Sequence, residues 1–135
     1  MTRERLAALA LFLGGGAVFF IGARSLAAPR AAVEPFGILL LGAPALSEIR
    51  ASFGGMHLGV GGFILAAAFL TRLRQPGLLL LLLYMAGLAV GRLVSAALDG
   101  APSSLIWRLL AVEILLVILA AGALAVEQPR RQGNA

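Results

Sequence analysis

Long apolar blocks separated by short polar or proline-rich stretches organise this chain. A run of about 20 predominantly apolar residues is long enough to cross a bilayer as a helix. The pattern predicts such helices at Leu6–Ala23, Ser47–Leu70, Gly77–Leu98 and Ser104–Val126. The expected fold class is therefore all-α, an integral membrane four-helix transmembrane bundle forming a single domain over residues 1–135. The first block also admits a less favoured reading as a leader, because Arg3 and Arg5 precede it and Ser25-Leu26-Ala27 resembles a cleavage site.

The three connections differ in kind. Thr71–Pro76 is a tight polar turn, with Pro76 suited to the first turn of the next helix. Asp99–Ser103 is another tight turn, in which Gly100 can terminate the third helix. The first connection, Arg24–Leu46, is long and carries Pro29, Pro35 and Pro44 around an apolar run, Phe36–Leu41. That run is too short to span, so it is expected to lie at the membrane surface or to dip in over the bundle.

Composition agrees with this pattern. Hydrophobic residues make up 61% of the 135 residues and charged residues 13%, far from the balance of a soluble domain. The net charge is +5, and all 11 basic residues are arginine. They sit mostly at predicted helix ends, without aromatic interleaving, so topology explains them better than nucleic acid binding. Arg3, Arg5, Arg72, Arg74, Arg130 and Arg131 fall on one side, against Glu4 and Glu127. Arg24, Arg30, Arg50 and Arg108 fall on the other, against Glu34, Glu48 and Asp99. The more basic first side is assigned to the cytoplasm, with both termini, in a bacterial inner membrane. Trp107 then falls in the outer interfacial belt. The chain has no cysteine and one histidine, which removes disulfide and thiol chemistry and disfavours a metal or haem site; no cofactor is expected.

Charges inside a membrane span are costly and need a reason. The second helix carries Glu48, Arg50 and His57, the third Arg92, Ser95 and Asp99, and the fourth Glu113. Up-and-down folding puts all of them in the outer half or near mid-depth. Arg50, Gly54, His57 and Gly61 share one helical face, and Glu48, Ser52, Gly55, Gly59 and Gly62 another. Both faces are expected to be closely packed, with Ile49, Phe53, Met56 and Val60 between them facing lipid. Gly87, Gly91 and Ser95 form a further small-residue seam.

Each polar residue has a structural and a functional reading. Glu113, about ten residues and near 15 Å into its helix, is either a buried partner of Arg92 or His57, or a proton carrier or ligand contact. Arg92 is expected to turn inward to an ion pair more often than to snorkel outward. Arg50 divides evenly between a solvated or headgroup role and a site role. His57, alone on a packed face, reads first as a hydrogen-bonded core residue. Glu48 suits a helix N-terminus, and Asp99, at a helix C-terminus, either caps the turn with Gly100 or needs a cation such as Arg50, Arg92 or Arg108.

Glu48-Ile49-Arg50, then Phe53-Gly54-Gly55-Met56-His57, Gly91-Arg92, Asp99-Gly100-Ala101-Pro102 and the lone Glu113 together resemble the bacterial membrane family termed domain of unknown function 4345. The resemblance covers nearly the whole chain. It implies four membrane helices bearing these polar positions, and treats Glu48, Arg50, His57, Arg92, Asp99 and Glu113 as one constellation without assigning it an activity. Similarity to the DoxX-like proteins is architectural only.

Three functions are compatible with the pattern. The favoured one is an outer-half pocket that binds or carries a lipid-like or other small amphiphile, with Arg50 and Arg92 on its anionic or carbonyl end and Gly54 and Gly61 making room. The second is a structural or accessory subunit, whose ion pairs fix helix register and whose glycine seams dock a second copy or a membrane partner. The third, an intramembrane acid–base enzyme using His57 and Glu113, is disfavoured because no nucleophile or metal motif is present.

Overall fold

The computed structural model describes residues 3–127, and among them the regular structure is helical throughout. The helices are α1 (Arg3–Ala27), α2 (Pro29–Val33), α3 (Gly42–Phe69), α4 (Arg74–Leu98) and α5 (Ser104–Glu127). Four of these, all but α2, are long and apolar enough to cross a membrane. The chain divides into two compact units, residues 12–66 and residues 1–11 with 67–135.

In the first unit, α1 runs on past Ala23 to Ala27, with Arg24 in its last turn where a cation complements the helix dipole. It stops at Ala28, which leaves the α region as a residue before proline is biased to do. Pro29 then opens α2, and a 3₁₀ turn, Glu34–Phe36, follows. Gly37 and Gly42, both with positive φ, bracket the non-helical stretch Ile38–Leu41. The connection is thus shorter than the expected 24–46, because α3 begins at Gly42 rather than Ser47. Pro44 does not delay the helix; it occupies the first turn, where the N–H that proline lacks would have no intrahelical partner.

The apolar run in this connection is divided. Leu40 packs with Val33 and Ile49 in a small core flanked by Ala45 and Leu46, while Leu39 and Leu41 stay 85% and 83% exposed. Ile49 is consequently buried, contrary to the expectation that it faces lipid, because the folded connection covers it. Phe53 and Met56 are exposed as expected.

Between Arg50 and Gly55, α3 widens into a π turn before resuming α geometry at Met56. Below it, α1 and α3 approach backbone to backbone. A Cβ at Gly61 would collide with the Phe19 nitrogen, at Gly22 it would stand 2.6 Å from the Leu58 nitrogen, and at Gly15 2.7 Å from the Leu65 nitrogen. Gly54 meets Leu26 in the same way. Gly54 and Gly61 therefore admit α1 rather than make room for a ligand. The opposite small face is packed only in part: Gly62 meets Phe19, whereas Gly59 has open space beside it and Gly55 meets only its own helix.

The second unit is built on the α4–α5 hairpin. Leu70 breaks the helical path, Thr71–Leu73 forms a 3₁₀ turn, and Pro76 lies in the first turn of α4. Gly77 then sits against Ala67 and Leu11. At the other end Gly100, with φ +99°, closes the turn after α4. Leu78, Leu81, Met85 and Ala89 form the buried stripe of α4, and Leu110, Leu116, Ala120 and Ala123 that of α5. Their spacing of three and four, with Glu113 between Leu110 and Leu116, is that of one helical face. Gly87 and Gly91 lie off this stripe with nothing near them.

Candidate functional site

Glu113 lies in the middle of the α5 stripe and is 5% exposed. Continuing the α4 stripe by three residues from Ala89 gives Arg92. The two side chains meet. Arg92 Nε donates to both carboxylate oxygens, at 2.8 Å to Oε1 and 3.0 Å to Oε2. A carboxylate this far from water requires a cation, and helical periodicity places one opposite it. Arg92 therefore turns inward through its Nε edge. Its side chain keeps 22% exposure. Neither terminal amino group, Nη1 or Nη2, hydrogen-bonds to a described residue.

A guanidinium has five N–H donors in a planar fork, and its end normally grips a carboxylate in bidentate fashion. Here the acid takes the single Nε proton, so the fork is held from its side and its end remains presented. The Nε–carboxylate contact fixes the plane and orientation of that end. Arg92 lies about two turns from the end of α4, roughly 9 Å by helical rise.

Further along α4, Ser95 Oγ donates to Asp99 Oδ2 at 2.8 Å, and the Asp99 backbone N–H bonds the Ser95 carbonyl. Asp99 thus closes the helix through its own turn, and among the described residues it pairs with no arginine. The cation expected for it is unnecessary because Asp99 is exposed.

The residues on α3 are engaged separately. Glu48 accepts from the Ser52 hydroxyl. It is not at a helix N-terminus as expected, since α3 starts at Gly42. Arg50 Nε donates to the Leu26 carbonyl at 3.2 Å, one of the last carbonyls of α1, which lack intrahelical partners. His57 Nδ1 lies 3.1 Å from the Ser52 carbonyl, five residues back, and the ring stacks on Phe53 at 5.6 Å. The return from i−5 to i−4 pairing after a π turn leaves a carbonyl unclaimed, and the imidazole covers it. That contact makes Nδ1 the protonated nitrogen.

Arg92 and Glu113 thus bond to each other on the α4–α5 hairpin, and Glu48, Arg50, His57 and Asp99 each make the local contacts described. Two further arginines belong to local architecture that the sequence pattern did not reveal. Arg24 donates to the Ala31 carbonyl at 3.0 Å and Arg30 to the Leu40 carbonyl at 2.7 Å. Arg30 also lines a groove of about 520 Å³ with Glu34 and Gly37–Leu40. The Arg30–Glu34 spacing of four between Pro29 and Pro35 was the available signal.

No curated protein and no solved structure matches the chain. A family model described as a domain of unknown function, DUF4345, matches residues 6–124. With nearly its whole length accounted for by that model, the chain belongs to the DUF4345 family.

Proposed function

We propose that this chain is a small inner-membrane protein that binds or carries an amphiphile, gripping its anionic or carbonyl end with Arg92. The observation that carries this reading is the side-on pairing of Arg92 with buried Glu113, which leaves both terminal amino groups presented. N–H groups within a bilayer need acceptors, and an inserted carboxylate, phosphate or carbonyl supplies them. Glu113 then has a positioning role: it neutralises the arginine enough to keep it in the span and holds its plane. Arg50, committed to the Leu26 carbonyl, is not required at the same ligand.

The test is thermal unfolding in detergent with a long-chain carboxylate or the matching alcohol. The carboxylate is expected to raise the Tm of the wild type, by about 2.7 kcal/mol of stability at 100 times its Kd, and the alcohol far less. Equal effects of the two would refute recognition by Arg92.

A second reading, a structural or accessory subunit, has its own supporting observation. Gly87 and Gly91 on α4, and Gly55 and Gly59 on α3, lie exposed with no neighbouring helix against them. Such faces suit close helix docking, by a second copy or a membrane partner. It predicts that bulky substitution at Gly91 changes the assembly without changing amphiphile retention.

A further inference from the structure

A second feature, independent of Arg92, lies in the connection between α1 and α3. The groove there has a volume of about 520 Å³ and is lined by Arg30, Glu34, Gly37, Ile38, Leu39 and Leu40. Its chemistry is mixed in an ordered way. Arg30 and Glu34 stand four residues apart, a spacing at which opposite charges on a helix usually meet. Here they form no ion pair. Arg30 is held instead by its Nη1 donation to the Leu40 carbonyl, and Glu34 opens the 3₁₀ turn, its carbonyl accepting from the Gly37 N–H and its carboxylate without a partner among the described residues. A cation and an anion thus face one groove side by side, each with donors or acceptors to spare. The rest of the lining is aliphatic, and Leu39 is 85% exposed beside it.

The position of the groove limits what can fill it. α1 ends at Ala27 and α3 begins at Gly42, and both are of membrane-crossing length. Segments joining two spans emerge at headgroup depth. The exposed apolar residues Phe36, Ile38, Leu39 and Leu41 and the cations Arg24, Arg30 and Arg50 have the composition of an interfacial anchor.

We propose that this groove binds the headgroup of a zwitterionic phospholipid bearing a primary ammonium, with its phosphate on Arg30, its ammonium on Glu34 and the start of an acyl chain against Ile38 and Leu39. A guanidinium matches a phosphate, and a carboxylate matches an ammonium that carries three donors. A purely anionic headgroup would satisfy Arg30 and be repelled by Glu34. A trimethylated headgroup would bring charge to Glu34 without hydrogen bonds.

The test is native mass spectrometry of full-length protein from vesicles of equal parts phosphatidylethanolamine, phosphatidylglycerol and phosphatidylcholine. Wild type should retain phosphatidylethanolamine over each competitor by about two- to fivefold, the scale of one exposed ion pair. Glu34→Gln changes an exposed side chain outside the core. It should abolish that preference and shift retention toward phosphatidylglycerol. Arg30→Gln should lower retention of all three lipids; Arg30→Lys, which keeps a donor for the Leu40 carbonyl, should restore part of it. Retention without headgroup preference, or a preference unchanged in Glu34→Gln, overturns the proposal and leaves only annular lipid. Because Arg92 is intact in every variant, amphiphile-dependent Tm shifts should persist throughout, so failure here is distinct from failure of the function proposed above.

Discussion

Glu113 and Arg92 were marked by the sequence as ionisable residues within apolar helices, and periodicity fixes their meeting: each continues the buried stripe of its helix. What periodicity could not convey is which guanidinium nitrogen the carboxylate takes. That depends on rotamers within the hairpin, and it decides whether the fork is consumed or presented. The pair has an asymmetric energetic signature. Arg92→Leu strands a buried carboxylate and should cost about 3–5 kcal/mol, whereas Arg92→Leu with Glu113→Leu removes both charges and should recover most of it. Denaturation midpoints of the two variants check this; equal losses would show that the pair is not coupled. Asp99, which bonds within its own turn, should tolerate Asp99→Asn with a loss below about 1 kcal/mol in the same assay. Its expected arginine partner was an inference from helix polarity alone, and local bonding to Ser95 displaced it.

At the scale of the element, the four long helices were legible because each is a continuous apolar block. The start of α3 was misplaced because Pro44 reads as a breaker when its neighbours are not known to be the first turn. The π turn Arg50–Gly55 has no composition signal, yet it shifts the register of everything after it. Straight α periodicity across it gave the right glycines for the packed face, Gly54 and Gly61, but put the ligand where α1 lies. Two substitutions separate these faces. Gly61→Ala drives a methyl into the Phe19 backbone and should destabilise by about 1–3 kcal/mol. Gly59→Ala enters open space and should be neutral or slightly stabilising, since alanine is the better helix former. Thermal unfolding distinguishes them, and equal shifts would contradict the α1–α3 seam.

For the whole molecule, the hydropathy pattern gave the fold class, and the arrangement of arginines gave a direction. We propose on that ground that the side bearing Thr71 faces the cytoplasm and the α1–α3 connection faces outward. The absence of natural cysteine makes this simple to check. Leu39→Cys should react with an impermeant maleimide in intact spheroplasts, and Thr71→Cys only after permeabilisation; the reverse pattern would invert the topology. The contacts at Glu48, Arg50 and His57 show how polar groups are satisfied close at hand, Glu48 by the Ser52 hydroxyl and Arg50 and His57 by backbone carbonyls.

The central claim, that Arg92 is held by Glu113 so as to grip an amphiphile, is tested most directly by native mass spectrometry of gently extracted protein. Wild type is compared with the Arg92→Leu, Glu113→Leu double variant, which keeps the hairpin folded without the guanidinium. A small anionic or carbonyl-bearing amphiphile retained by the wild type and absent from the folded double variant is the predicted result. The same amphiphile retained equally by both, or by neither, would contradict the claim and leave the ion pair as a packing device of the α4–α5 hairpin.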